Sequence, residues 1–148
     1  MKGQAYVKLV GEDDASYVDI STFGVTLIRG WREALLTPPP IKSLITNDSR
    51  LSDGISVLAR SENIKLDKRD LSLQFYLEGK DTSDYLSKYE LFLSKIAYSG
   101  QFCLKVPCLG KVYKLVYSQC SKFGDYGLKK GNFTLKLTEY NPNDREII

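Results

Sequence analysis

Residues 70–78 read DLSLQFYLE, and their alternation limits the fold more than any other feature of the chain. Leu71, Leu73, Phe75 and Leu77 are apolar, and Ser72, Gln74, Tyr76 and Glu78 fill the places between them. Successive side chains of a strand point to opposite faces, so this stretch is a strand with one buried and one wet face. At 3.6 residues per turn the same pattern would scatter its apolar residues around a helix. Residues 132–140, NFTLKLTEY, repeat it with Phe133, Leu135 and Leu137 against Thr134, Lys136 and Thr138. One-sided strands of this kind build antiparallel sheets.

Further strands follow from the same reading. Residues 111–119 place Tyr113, Leu115 and Tyr117 on one face and Val112, Lys114 and Val116 on the other. Residues 101–106 form a fourth strand, joined to Lys111 by the hairpin loop Pro107, Cys108, Leu109 and Gly110. Residues 5–10 and 25–29 are shorter candidates, and 56–59 and 64–66 weaker ones. Helical spacing appears once, at 82–99, where Tyr85, Leu86, Tyr89, Phe92, Leu93, Ile96 and Ala97 share a stripe. Asp81, Thr82 or Ser83 can cap its start and Gly100 its end. The expected fold is mainly β with one helix: an antiparallel β-sandwich or split barrel with the helix on one face. The expected organisation is a single domain over 1–148, a length at which roughly 68–70% of the unfolded surface is buried.

Between the early strands and residue 70 lies LLTPPPIKSLITNDSRLSDG, residues 35–54. Pro38, Pro39 and Pro40 lack N–H donors and cannot sit inside a helix or a central strand. Asn47, Asp48, Ser49, Ser52, Asp53 and Gly54 favour turns. Irregular stretches beyond ~12–15 residues are usually functional or disordered. Stiff prolines followed by Ile41, Leu44, Ile45 and Leu51 suggest an arm over 37–54 that grips a neighbour.

Chemistry is sparse. The chain has no histidine, so neither a Ser-His nor a Cys-His dyad can form. No phosphate-binding glycine motif follows a strand. Cys103, Cys108 and Cys120 have neither zinc spacing nor an even count, so three thiols and no metal are expected. Asp48 and Asp53 lack the companion ligands of a calcium loop. Glu62 and Asp67 read as solvated carboxylates. No enzyme activity and no cofactor are expected. No apolar run reaches the ~18–20 residues of a membrane span, and MKGQAYVKLVGEDD lacks the apolar core of a secretion signal. The expected location is therefore the cytoplasm. A net charge of +3 is weak for a dedicated nucleic-acid binder. Lys122, Lys129 and Lys130 nevertheless lie beside Phe123, Tyr126 and Phe133 in SKFGDYGLKKGNF, which reads as a long hairpin loop. That pattern leaves a second reading open: a module for single-stranded nucleic acid or carbohydrate using the hairpin 113–133, with Tyr113, Tyr117, Phe123 and Tyr126.

The order of these pieces resembles a family. Asp19-Ile20, Phe23-Gly24-Val25, the proline-rich loop, the alternating strand, the helix with its glycine, Tyr113 and Tyr117, and the closing Glu139-Tyr140-Asn141-Pro142 with Arg145 follow one another from residue 19 to 145. This resembles the small β-rich tail proteins of long-tailed bacteriophages, namely the N-terminal domain of the distal tail protein and the related tail-tube subunits. The resemblance implies a non-catalytic subunit of a phage or prophage tail. It implies self-assembly into a ring, commonly hexameric, or a tube, with sheets that abut between subunits and loops that clasp the neighbour. It further implies other tail or baseplate proteins as partners, the host cytoplasm as the place of assembly, and the virion tail as destination. Under it, Pro38, Pro39, Pro40, Ile41, Leu44, Ile45 and Leu51 are expected at the subunit contact. Lys122, Phe123, Tyr126, Lys129 and Lys130 are candidates for a second contact or a nucleic-acid contact, the three lysines facing Glu12, Asp13 or Asp14 of a neighbour in the first case. A carbohydrate-binding second domain, frequent in the distal tail proteins, has no counterpart in these residues.

Overall fold

The computed structural model describes residues 3–48, 53–58, 60–61 and 64–148. Ten strands and two helices alternate in the order β1 (Tyr6–Leu9), β2 (Val18–Asp19), β3 (Val25–Leu27), α1 (Trp31–Leu36), β4 (Ile45–Asp48), β5 (Ile55–Leu58), β6 (Arg69–Glu78), α2 (Thr82–Ile96), β7 (Phe102–Val106), β8 (Lys111–Asp125), β9 (Lys130–Glu139) and β10 (Glu146–Ile147). Eight strands make one antiparallel sheet in the order β2-β1-β7-β8-β9-β6-β3, with β10 added beside β8. The mainly-β, single-major-helix class is as the alternation implies.

The sheet has two halves because β8 serves both. Its first residues, Lys111 to Leu115, pair with β7, and the rest, from Val116 to Asp125, pair with β9. The register slips between Tyr117 and Gln119 and again between Cys120 and Lys122. Bulges of this kind bend and twist a strand, and these two lie just past the changeover. The inward residues meet in rows across the strands. Leu71 faces Leu137, Leu73 faces Leu135 and Phe75 faces Phe133 in one half. Val7, Leu104 and Tyr113 make a row in the other, as do Leu9, Phe102 and Leu115.

Helix α2 lies against this core, burying Tyr85, Phe92, Leu93 and Ile96. Asp81 caps its start by accepting from the Asp84 N–H at 2.8 Å. The Phe92 ring meets Phe23, Phe75 and Phe133 at centroid distances of 5.8, 5.3 and 6.0 Å. Near the helix start, the Tyr85 ring covers Gly131, where any Cβ would collide with the Tyr85 hydroxyl. Helix α2 ends at Ile96 rather than at 99. Ala97 and Tyr98 both donate back to the Leu93 carbonyl, and Gly100 turns the chain with φ +88°.

Three further sequence expectations need correction. Trp31–Leu36, expected to be irregular, is a short helix that ends at Thr37, one residue before the proline run that cannot continue it. The stretch 37–54, expected to be irregular, contains a strand, because Ile45–Asp48 pairs with Ile55–Leu58 in the register Ile45↔Leu58 to Asp48↔Ile55. The long loop expected around 120–131 is largely strand. β8 continues to Asp125 and β9 begins at Lys130, so the turn between them is short.

Candidate assembly surface

Among the described residues, the β4–β5 ribbon pairs with no other strand. Its root is held by backbone bonds between its two legs: Lys42 N–H to the Lys65 carbonyl and Asp67 N–H to the Pro40 carbonyl, both 2.8 Å, around an Ile41↔Leu66 bridge. Among the arm's sequence-expected contact residues, Ile41 is 46% exposed and Pro38, Pro39 and Pro40 lie at or near the surface. Leu44 is half-buried. Ile45 lies in β4, and Leu51 and Glu62 lie outside the described residues. Leu36 and Val57 add exposed apolar surface at 55% and 51%.

What aims this ribbon is a buried charge cluster. Arg69 opens β6 and is only 3% exposed. Its Nη1 donates to the Leu35 carbonyl at 2.8 Å and the Thr37 carbonyl at 2.7 Å, the open end of α1 and the entry to the prolines. A cation over the free carbonyls of a helix end is favourable in charge as well as in hydrogen bonding. Arg69 Nε lies 3.0 Å from Glu139 Oε1, close enough for ion pairing though not aligned as a hydrogen bond. Arg145 grips the same carboxylate with two bonds of 2.8 Å. Glu139 is fully buried, and the Tyr113 ring lies 5.7 Å from one guanidinium and 5.1 Å from the other. Burial pushes the Arg69 guanidinium below its ordinary range, with Glu139 opposing, whereas its bonds to Glu139 push Arg145 up. The closing Glu139 and Arg145 of the sequence thus act structurally: they tie the end of β9 and the C-terminal segment to the root of the arm. Composition gave no sign of this, because Arg69 lies far along the chain from both Leu35 and Glu139.

The outward face of β6, β9 and the far half of β8 is polar apart from the half-buried Val116 beside Thr138. Asp70, Ser72, Gln74, Tyr76 and Glu78 stand beside Thr138, Lys136, Thr134, Asn132 and Lys130. Shallow hollows of about 450 and 360 Å³ run along it. This half of the sheet is open at both ends. On one side β7 stops pairing at Leu115, so the remainder of β8 is an edge. On the other, the β3 segment covers Gln74 to Glu78 of β6, and the Gln4 side chain bonds both the N–H and the carbonyl of Leu27 on the outer edge of β3, so the edge without a strand partner among the described residues is β6 before Gln74.

The β8–β9 tip carries the second set of expected contacts. Phe123 is half exposed, but its ring stacks on Phe133 and meets Tyr89 edge-on. The Tyr126 hydroxyl accepts from Asn132 Nδ2 at 2.9 Å. Lys130 lies 3.9 Å from Glu78 of its own chain, and Lys122 and Lys129 are exposed. Of the acids expected to meet these lysines, Asp14 already pairs with Lys8 at 2.9 Å and Glu12 with Lys95 at 3.4 Å, leaving Asp13 exposed. Tyr113 is buried and Tyr117 meets Tyr98 edge-on, so neither offers a free ring to a ligand. Of the thiols, Cys103 is buried and Cys108 and Cys120 are exposed and unpaired. No group of metal-binding side chains occurs among the described residues, and no described helix is long and apolar enough to cross a membrane.

No protein-family model and no curated protein matches the sequence. Among solved structures, the fold is similar to that of the Dit protein (gp 19.1) of phage SPP1, described as a hub of the adsorption apparatus in phages infecting Gram-positive bacteria. The TM-score is 0.61 at 15% sequence identity, over 93% of this chain. The chain spans 50% of the length of that protein. It therefore shares the fold of a phage tail hub protein.

Proposed function

We propose that this chain is a structural subunit of a phage or prophage tail that assembles with copies of itself into a closed ring, and that it catalyses nothing. The observation that carries the reading is the half-sheet β8-β9-β6-β3, which among the described residues has a strand edge without a partner at each end, β8 past Leu115 and β6 before Gln74, and a largely polar outer face. An edge strand is a template for pairing. When the two edges of one sheet differ, joining one copy's β8 edge to the next copy's β6 edge is heterologous, and a heterologous contact that closes gives a ring. The bulges in β8 restrict which strands can add there. In such a ring the polar face lines the channel, and its mixed charges leave no strongly positive wall to hold passing DNA. The ribbon, rooted by Arg69, clasps a neighbour through Pro38, Pro39, Pro40, Ile41, Leu44, Ile45 and Leu51. The resemblance to distal tail proteins and the shared fold support six subunits, tail or baseplate partners, assembly in the bacterial cytoplasm, and one domain over the chain.

The reading is tested by negative-stain microscopy of the concentrated protein without ligand. Round particles with a central hole are expected, and a field of separate small particles at every concentration overturns it. Replacing residues 41–66 with a short Gly-Ser link is expected to leave a folded monomer. An unchanged oligomer removes the arm from the contact.

A further inference from the structure

The buried cluster at Glu139 holds two guanidiniums and one carboxylate, and the carboxylate is already fully occupied. Arg145 takes both of its oxygens, Nε donating to Oε2 and Nη2 to Oε1, each at 2.8 Å. Those two nitrogens form the side-on edge of a guanidinium, which fits a carboxylate with two parallel bonds. Arg69 brings the same edge beside the same carboxylate and does not complete the match. Its Nε lies 3.0 Å from Oε1, yet its buried Nε and Nη2 have no hydrogen-bond partner among the described residues. Its Nη1 is engaged with the carbonyls of Leu35 and Thr37. A buried donor left unpaired is costly, and two buried cations around one anion leave a positive charge in excess.

The two arginines are not held equally. The Arg69 side chain is 3% exposed and sits in β6, which pairs along its whole length with β9. The Arg145 side chain is 18% exposed and lies in the segment 143–148, whose other residues are all exposed. That segment is tied to the sheet by two residue pairs between β10 and β8, by the Ile148 N–H on the Gly110 carbonyl at 3.0 Å, and by a surface ion pair between Asp144 and Lys114. Short pairing and an exposed ion pair hold little by themselves. Arg145 is therefore the main tie of the segment, and it is also the cation that water can most readily take back.

We propose that the segment 143–148 is a latch, and that its release passes Glu139 from Arg145 to Arg69. In the closed state Arg145 holds the carboxylate side-on. In the open state Arg145 moves into water, and Arg69 takes both oxygens through Nε and Nη2 while Nη1 keeps the Leu35 and Thr37 carbonyls. Both orphaned nitrogens of Arg69 are then paired, and the buried charges balance. Opening has two consequences. It uncovers the backbone of β8 at Lys111 and Val112, which β10 otherwise pairs, and so creates a further strand edge. It also firms the root of the β4–β5 ribbon, because the side chain that holds the carbonyls at its entry gains a second, two-bonded anchor. Latch and arm work in opposition through one carboxylate: loosening the first secures the second. The device belongs to a single chain, whether or not that chain joins others.

The test is NMR on the isotope-labelled full chain, read at the arginine Nε–H signals and at backbone amides. In Arg145→Ala, hydrogen exchange is expected to slow by about tenfold or more at the Arg69 Nε–H and to quicken by about tenfold or more at the Ile148 N–H. The Lys42 and Asp67 N–H groups at the ribbon root are expected to exchange no faster than in the parent. Arg145→Lys keeps the charge but offers a point contact in place of two parallel bonds. It is expected to fall between the parent and Arg145→Ala at both signals. An Arg69 Nε–H that exchanges as in the parent once Arg145 is gone overturns the handover. So does a ribbon root that loosens together with the segment, because Glu139 would then be a fixed post that both arginines need.

Discussion

The molecule contains two long β-ribbons whose fates differ. The β8–β9 ribbon and the β4–β5 ribbon are both antiparallel pairs, yet one is part of the core and the other stands apart from the sheet. β9 runs ten register pairs along β6, from Arg69↔Glu139 to Glu78↔Lys130, and its inward residues meet α2. Among the described residues, β4 and β5 pair only with each other, and the described root of the ribbon lies beside Arg69. Strand pairing alone gives little independent stability to a two-stranded hairpin. The lesson is that backbone geometry makes a ribbon, whereas burial of one face decides whether it is scaffold or free to bind.

That contrast can be broken or sharpened at particular residues. Phe133→Ala removes a buried ring from the core ribbon and is expected to lower stability by about 3–5 kcal/mol in urea unfolding. Arg69→Ala, where the arm meets the core, is expected to cost a similar ~3–5 kcal/mol, since it leaves Glu139 with one cation and two carbonyls without a donor. A loss near zero would show that the cluster does not root the arm. Gly131→Ala forces a Cβ into the Tyr85 hydroxyl and is expected to cost about 1–3 kcal/mol; pairing it with Tyr85→Phe should return part of that loss. The arm itself should respond least: Val57→Ala is expected to stay within about 0.5 kcal/mol of the parent, and a larger loss would place Val57 in the chain's own core.

Another small effect concerns the start of α2. Asp84 is held below its ordinary 3.8, first by the Lys80 N–H and then by Lys88. A carboxylate whose folded value is depressed adds stability that is fully present above its unfolded value and is lost as pH falls through the folded one. Asp84→Asn should therefore unfold slightly earlier than the parent at neutral pH, and the gap should close below pH ~4. A gap that persists unchanged in acid would show that the charge is not its source.

The sequence made some of this legible and hid the rest for physical reasons. Period two announced β6 and β9, and the buried stripe announced α2, because those elements have one wet face and one dry one. The hairpin from Phe102 through Gly110 to β8 was legible from its Pro-Gly punctuation. β5 was legible only weakly, at 56–59, and β4 was not, because its segment shows no apolar alternation and its turn residues read as loop. The full length of β8 was missed because Ser118, Gln119, Cys120, Ser121 and Lys122 are all exposed, and two bulges break the period there. Helix α1 was hidden by its shortness. At the assembly surface the prolines and Ile41 were visible as an oddity, but the Arg69–Glu139–Arg145 cluster was not, since pairing across the fold leaves no local pattern.

The central claim is self-association, and the most direct measurement is the solution mass by light scattering over a concentration series. The account predicts a species at a fixed multiple of the 16.7-kDa chain, six for the hexameric ring, that grows with concentration and needs no ligand. A mass that stays at one chain throughout would contradict it.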